Sequence, residues 1–157
     1  MRKIFFLVLS LLLIWSCVAQ ALETTLVDVR TEIFKNAQGM KTYFATSRDP
    51  VLLNSLWDSS VTAVSQLDAY FSMLGIFNTI KKQNQEEAQV GYLIHWLQQI
   101  KDTAELNIKS LEAIKSTTDA RSKVLTLKLK DIFNDLKNRV TAELQTVTQL
   151  RESVIKK

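Results

Sequence analysis

The chain has 157 residues, of which 46% are hydrophobic and 23% are charged, and its formal net charge is +4. Enough apolar surface is present to build a core, so the composition excludes an intrinsically disordered chain, and the length fits one domain. Only three glycines and one proline occur, which is too little turn chemistry for an all-β sandwich or barrel. The small excess of positive charge does not indicate a nucleic-acid partner.

Residues 1–21 have the layout of a secretory signal peptide. Two basic residues precede an apolar run from Ile4 to Trp15, and Ala19-Gln20-Ala21 follows as a small-x-small cleavage site. The run has about 12 residues, whereas a helix that crosses a bilayer needs roughly 20. We therefore expect cleavage after Ala21 and export of a single domain formed by residues 22–157.

Two alternatives to this cleavage are a lipid anchor on an acylated Cys17 and an uncleaved membrane anchor. Each alternative still places the folded part outside the cytoplasm. Cleavage leaves 18 basic and 16 acidic residues and no cysteine, so the exported domain must be held together by its core alone. The chain has no Asn-x-Ser/Thr acceptor, which favours a bacterial periplasm or exterior.

Four long helical patterns fill the remainder, at about residues 22–47, 50–83, 86–116 and 120–155. In each pattern, apolar residues recur at steps of three and four, which is the spacing of one face of a helix. Asp49 and Asp119 are expected to be the N-caps of the second and fourth helices, with Pro50 as the first helical residue of the second.

Helices with one apolar face must bury those faces against one another. Short turns make successive helices antiparallel, so the sequence predicts an all-α fold, an antiparallel up-down-up-down four-helix bundle with long coiled-coil-like helices and an apolar interior. A three-helix coil that fuses two of the patterns is the alternative. The third helix carries a heptad-like seam in which Asn107 is the polar member. We expect Ile108 to pack in its place, because a helix of 3.6 residues per turn drifts against a 3.5-residue repeat.

No catalytic, cofactor-binding or metal-binding motif is visible in the sequence. His95 is the only histidine, and Tyr92 occupies the position at which a bundle metal site would carry glutamate. Glycine-rich phosphate loops and a nucleophile elbow are missing as well. We therefore expect a non-enzymatic protein without a cofactor, with His95 at the edge of the packed face.

Aromatic residues gather on either side of the turn predicted between the second and third helices. Together they would line a pocket for an apolar or flat ligand, or they would simply fill the core. The candidate pocket residues are Tyr70, Phe71, Phe77, Tyr92, His95 and Trp96.

Basic residues are concentrated in the last helix. Residues 22–119 carry 9 basic and 12 acidic side chains, whereas residues 120–157 carry 9 basic and 4 acidic ones. A basic amphipathic helix binds anionic lipid or an acidic partner, or it pairs with the acidic remainder of its own bundle. The candidate basic surface consists of Arg121, Lys123, Lys128, Lys130, Lys137 and Arg139.

A complete bundle pattern without visible chemistry favours a function based on binding. We expect an exported, non-enzymatic protein that acts through protein–protein contacts as an adaptor, assembly factor or subunit, with a protein partner or as a homo-oligomer. The alternative is a carrier or sensor of an apolar ligand, or a bundle that binds a lipid surface.

Overall fold

The computed structural model describes residues 26–43, 46–47, 50–80, 85–113 and 120–155. The expected signal peptide, Cys17, Asp49 and Asp119 lie outside these residues. Helix α1 covers 26–43, α2 covers Pro50–Thr79, α3 covers Glu87–Ala113 and α4 covers Ala120–Ile155, and the described ranges contain no β-strand. The predicted all-α architecture of four helices is therefore confirmed.

Short-range hydrogen bonds define the two helix ends at the turn between α2 and α3. The Ile80 amide donates to the Phe77 carbonyl at 3.1 Å, a bond that tightens the last turn, and α2 ends at Thr79, ahead of the predicted residue 83. Helix α3 begins one residue after Glu86, whose amide donates to the side chain of Gln89 at 3.1 Å. This is the backward bond of a capping box, and it satisfies an amide that the helix leaves without a partner.

The helices form a bundle in which neighbours run antiparallel. Helix α2 packs against α3, and α3 packs against α4. Cross-helix contacts join low residue numbers on one helix to high numbers on the other. These contacts are Arg30–Asp68 and Lys41–Trp57 between α1 and α2, and Glu87–Arg151 and Glu112–Lys130 between α3 and α4. The end of α1 meets the start of α4, where the Arg121 guanidinium lies 4.4 Å from the centroid of the Tyr43 ring.

The interior is built mainly from the predicted apolar stripes. On α3, Ile108 is buried and Asn107 is only half-buried, which confirms that the isoleucine takes the seam position. The buried seam of this helix consists of Val90, Leu93, Leu97, Ile100, Ala104, Ile108 and Leu111. None of the helices within the described ranges is both long and apolar enough to cross a bilayer.

Several polar side chains are buried in this interior, namely Asn36, Ser60, Ser122, Thr126 and Glu143, and one of them forms a buried pair with a tyrosine. Tyr70 of α2 is 0% exposed and Glu143 of α4 is 6% exposed, and the Tyr70 hydroxyl donates to Oε1 of Glu143 at 2.6 Å. The expectation of a wholly apolar interior is wrong at this point. The hydroxyl donor from α2 offsets part of the cost of burying this carboxyl group, and burial without that bond would be more costly.

Candidate functional site

An open groove of about 270 Å³ lies on the outer surface between α2 and α3. Val61, Thr62, Ser65 and Gln66 of α2 line it together with Trp96 of α3. The four α2 residues share one side of that helix, since residues three and four apart are neighbours on a helix surface. Three of them have short side chains beside a large indole, and this difference in size leaves the depression.

Gln66 adds a polar group to the groove. Its Oε1 atom is buried and accepts no hydrogen bond from any described residue. A buried acceptor without a donor costs about 1–3 kcal/mol, and because this atom has almost no exposed surface, a partner in the groove can supply the donor only when the Gln66 side chain turns toward it. The sequence analysis did not identify Gln66, because a single glutamine beside an apolar stripe is common and its burial depends on how α3 packs against α2.

Three of the six predicted pocket residues belong to the interior or its border. Tyr70 and Phe77 are buried, and Phe71 is a half-buried residue packed against the core. The Tyr70 and Phe71 rings are tilted, with centroids 5.8 Å apart. These side chains do not line the groove, which lies farther toward the start of α2.

The other three predicted pocket residues lie at the surface of α3. Trp96 is half-buried and lines the groove, whereas His95 is exposed and Tyr92 is 59% exposed. The His95 ring meets the Trp96 ring edge-on, with centroids 6.2 Å apart. The structure therefore brings two of the predicted residues together beside the groove, and Tyr92 lies one helical turn before Trp96.

Exposed apolar side chains continue from the groove toward α1. Val61 is 39% exposed, and Phe34 of α1 is 46% exposed. Because the Arg30–Asp68 and Lys41–Trp57 contacts set the register of the two helices, Phe34 is level with the part of α2 that carries Val61. The groove thus lies within a wider, partly apolar face.

Some side chains of the predicted basic surface interact with other residues of the bundle, and others are exposed. Engaged groups are Arg121 over the Tyr43 ring, Lys130 paired with Glu112 at 2.9 Å, and Arg139 paired with Asp135 at 2.8 Å. Lys123 and Lys128 are exposed, and Lys137 is half-buried. Part of the basic charge of α4 is therefore balanced within the bundle, and two exposed lysines remain near the start of the helix.

Within the part of the chain that the structure describes, no three histidine, cysteine, aspartate or glutamate side chains come together as a metal site would require. Comparisons with protein families, curated proteins and solved structures found no match to this chain. Its function is therefore inferred from its own geometry.

Proposed function

We propose that this chain is an exported, non-enzymatic helical bundle that acts by binding another protein in the groove between α2 and α3. The observation that carries the proposal is the pairing of a half-buried Trp96 with the buried Oε1 of Gln66, which lacks a donor among the described residues. Tryptophan is enriched among residues that dominate the binding energy of protein interfaces. An apolar side chain of the partner packs on Trp96, while an N–H of the partner donates to Gln66.

The shape of the groove favours a protein over a small apolar ligand. Small-molecule sites usually enclose about 300–1,000 Å³ and bury most of the ligand surface. This groove has about 270 Å³ and is open to solvent. A protein surface covers such a groove together with the exposed Phe34, Val61 and Tyr92 around it, which a small ligand cannot do.

Export is part of this proposal and rests on the amino-terminal sequence. The basic start, the apolar run and Ala19-Gln20-Ala21 together support cleavage of residues 1–21. The partner is then a protein of a bacterial envelope or of the cell exterior, or a second copy of this chain.

Site-specific photo-crosslinking in the native envelope tests the proposal. A photoreactive amino acid replaces Thr62 in the groove or, as the control, the exposed Gln145 on α4. We expect a discrete adduct from position 62 and none from position 145. Trp96→Ala should weaken capture at least tenfold, because loss of an interface hot spot costs about 2 kcal/mol or more.

Val61→Glu provides a second variant that leaves the buried residues unchanged, since Val61 is partly exposed. It should also abolish the adduct, because it places a carboxylate where an apolar partner surface must pack. An adduct at twice the mass of the chain would identify a second copy as the partner. Equal adducts from positions 62 and 145, or an adduct that persists in both groove variants, would contradict the proposal.

A further inference from the structure

At one end of the bundle, most of the charged side chains among the described residues are basic. At this end α1 and α3 finish and α2 and α4 begin, and the Lys41–Trp57 and Lys130–Glu112 contacts mark its inner limit. The described residues beyond that limit are 41–43, 46–47, 50–57, 112–113 and 120–130, and Glu112 is their one acidic residue. Their basic residues are Lys41, Arg121, Lys123, Lys128 and Lys130.

The same end carries the most exposed large apolar side chain of α2, Val51, and that of α4, Val124, together with the exposed Leu127. Val51 in the first turn of α2 is 83% exposed, and Val124 and Leu127 of α4 are 63% and 53% exposed. Helical side chains lean toward the N-terminus of their helix, and both helices begin here. Val51 and Val124 therefore lean toward the tip of the bundle.

On α4, the two apolar residues lie between two lysines. Helix geometry places Lys123 and Lys128 about 70° to either side of the midline through Val124 and Leu127. Both lysines are exposed, and residues 120–130 contain no acidic side chain, although the exposed Asp131 follows on the same face one turn after Leu127. We call Lys123, Val124, Leu127 and Lys128 the α4 patch. Its apolar centre with a basic rim is typical of helices that lie on lipid surfaces.

We propose that the α4 patch docks this end of the bundle on an anionic membrane surface. The valine and leucine side chains enter the boundary between headgroups and acyl chains, while the lysine stems extend so that their ammonium groups stay among the phosphates. The positive charge of the patch favours an anionic membrane over a second copy of this chain. A second copy presenting the same patch would place lysines against lysines, whereas an anionic bilayer offers opposite charge and an apolar layer together.

This contact is separate from the protein contact proposed above. The groove is formed by α2 and α3, whereas the α4 patch lies on α4. Either proposal can therefore be disproved without affecting the other. Groove variants such as Trp96→Ala should therefore bind lipid normally.

Sedimentation of the purified exported protein with lipid vesicles tests the inference. We expect binding to vesicles that contain phosphatidylglycerol, little binding to vesicles of phosphatidylcholine alone, and weaker binding as salt shortens the Debye length from about 10 Å at 0.1 M to about 3 Å at 1 M. Lys123→Gln/Lys128→Gln should reduce binding roughly 25-fold, since each lysine near an anionic surface contributes about fivefold. Val124→Ser/Leu127→Ser should reduce it about tenfold through lost apolar burial.

Two matched variants control for net charge and for surface apolarity. Lys35→Gln/Lys101→Gln removes the same charge outside the patch, and Ile76→Ser removes an exposed apolar side chain near the end of α2. Both should bind within about twofold of the parent protein, since neither touches the patch. If Val124→Ser/Leu127→Ser does not fold, Lys123→Gln/Lys128→Gln still tests whether the patch binds the membrane.

Three results would overturn the inference. The first is equal binding to both vesicle types or binding to neither. The second is an equal loss of binding in the patch variants and the matched controls. The third is a patch that captures only an acidic protein.

Discussion

The residue pair with the largest consequence for the interior is Tyr70 and Glu143. Their hydrogen bond of 2.6 Å lies almost entirely out of solvent. A buried hydrogen bond contributes only modestly to stability, yet removing one partner costs more than the bond contributes, because the other group stays buried with one hydrogen bond fewer. The pair also links α2 to α4, two helices that are not consecutive in the chain, and so it favours one relative placement of those helices.

Tyr70→Phe should lower the free energy of unfolding by about 1–3 kcal/mol, because it leaves a buried carboxyl group without its hydroxyl donor. Urea denaturation measures the change. Tyr92→Phe is the matched control, since Tyr92 is exposed, and it should stay within about 0.5 kcal/mol of the parent. Adding Glu143→Leu to Tyr70→Phe should recover much of the loss. Equal free energies of unfolding for Tyr70→Phe and Tyr92→Phe would show that the Tyr70–Glu143 hydrogen bond does not stabilise the fold.

Among the helices, α3 shows how a helical repeat accommodates a heptad-like sequence. The seam follows steps of three and four until Ala104 and then takes a further step of four to Ile108. That shift follows from the drift of a straight helix against a strict 3.5-residue repeat. It leaves Asn107 at the edge of the seam, where its amide is half-buried.

Three helices carry an interior glycine without a structural need for it, at Gly39, Gly75 and Gly91. A Cβ built at Gly75 of α2 or at Gly91 of α3 would meet no other atom within 4 Å, and neither glycine has a positive φ. Gly75→Ala and Gly91→Ala should therefore each raise the free energy of unfolding by about 0.5–1 kcal/mol, the difference in helix propensity between the two residues.

Thermal denaturation of the two single variants and of the double variant measures this effect, and we expect the gains to add because a Cβ at either site would touch no other atom. A loss of stability in either variant would show that the helix surface there is more closely packed than the structure indicates.

The molecule as a whole is stabilised by its apolar interior rather than by its ion pairs. The described residues form four ion pairs, whose side chains are between 33% and 53% exposed. Exposed pairs of this kind contribute about 0–1 kcal/mol each. Burial of a single leucine is worth more, about 1.5–3 kcal/mol.

Adjacent residues on α2 allow a direct comparison of these two contributions. Leu67 is fully buried, whereas Asp68 forms the surface pair with Arg30. Leu67→Ala should lower the free energy of unfolding by about 2–5 kcal/mol, and Asp68→Asn by no more than about 1 kcal/mol. Urea denaturation of both variants measures the difference. A comparable loss in the two variants would mean that the inter-helix ion pairs contribute as much as the core.

The sequence by itself determined the fold class, the number of helices and most of the residues that face inward. These are local properties, because the step of three and four that makes a helix amphipathic can be read within a few turns. The start of α2 at Pro50 and of α4 at Ala120 follows from local signals in the same way.

Only the tertiary structure decided which side chains from different helices meet. The Tyr70–Glu143 bond, the groove between Gln66 and Trp96, and the exposure of Val124 and Leu127 all depend on the rotation and register of one helix against another. The apolar stripes on these helices are broad and similar, so the stripe pattern permits several such rotations. The packing of all four helices together selects one of them, and that selection places the polar and surface groups on which both proposed binding sites depend.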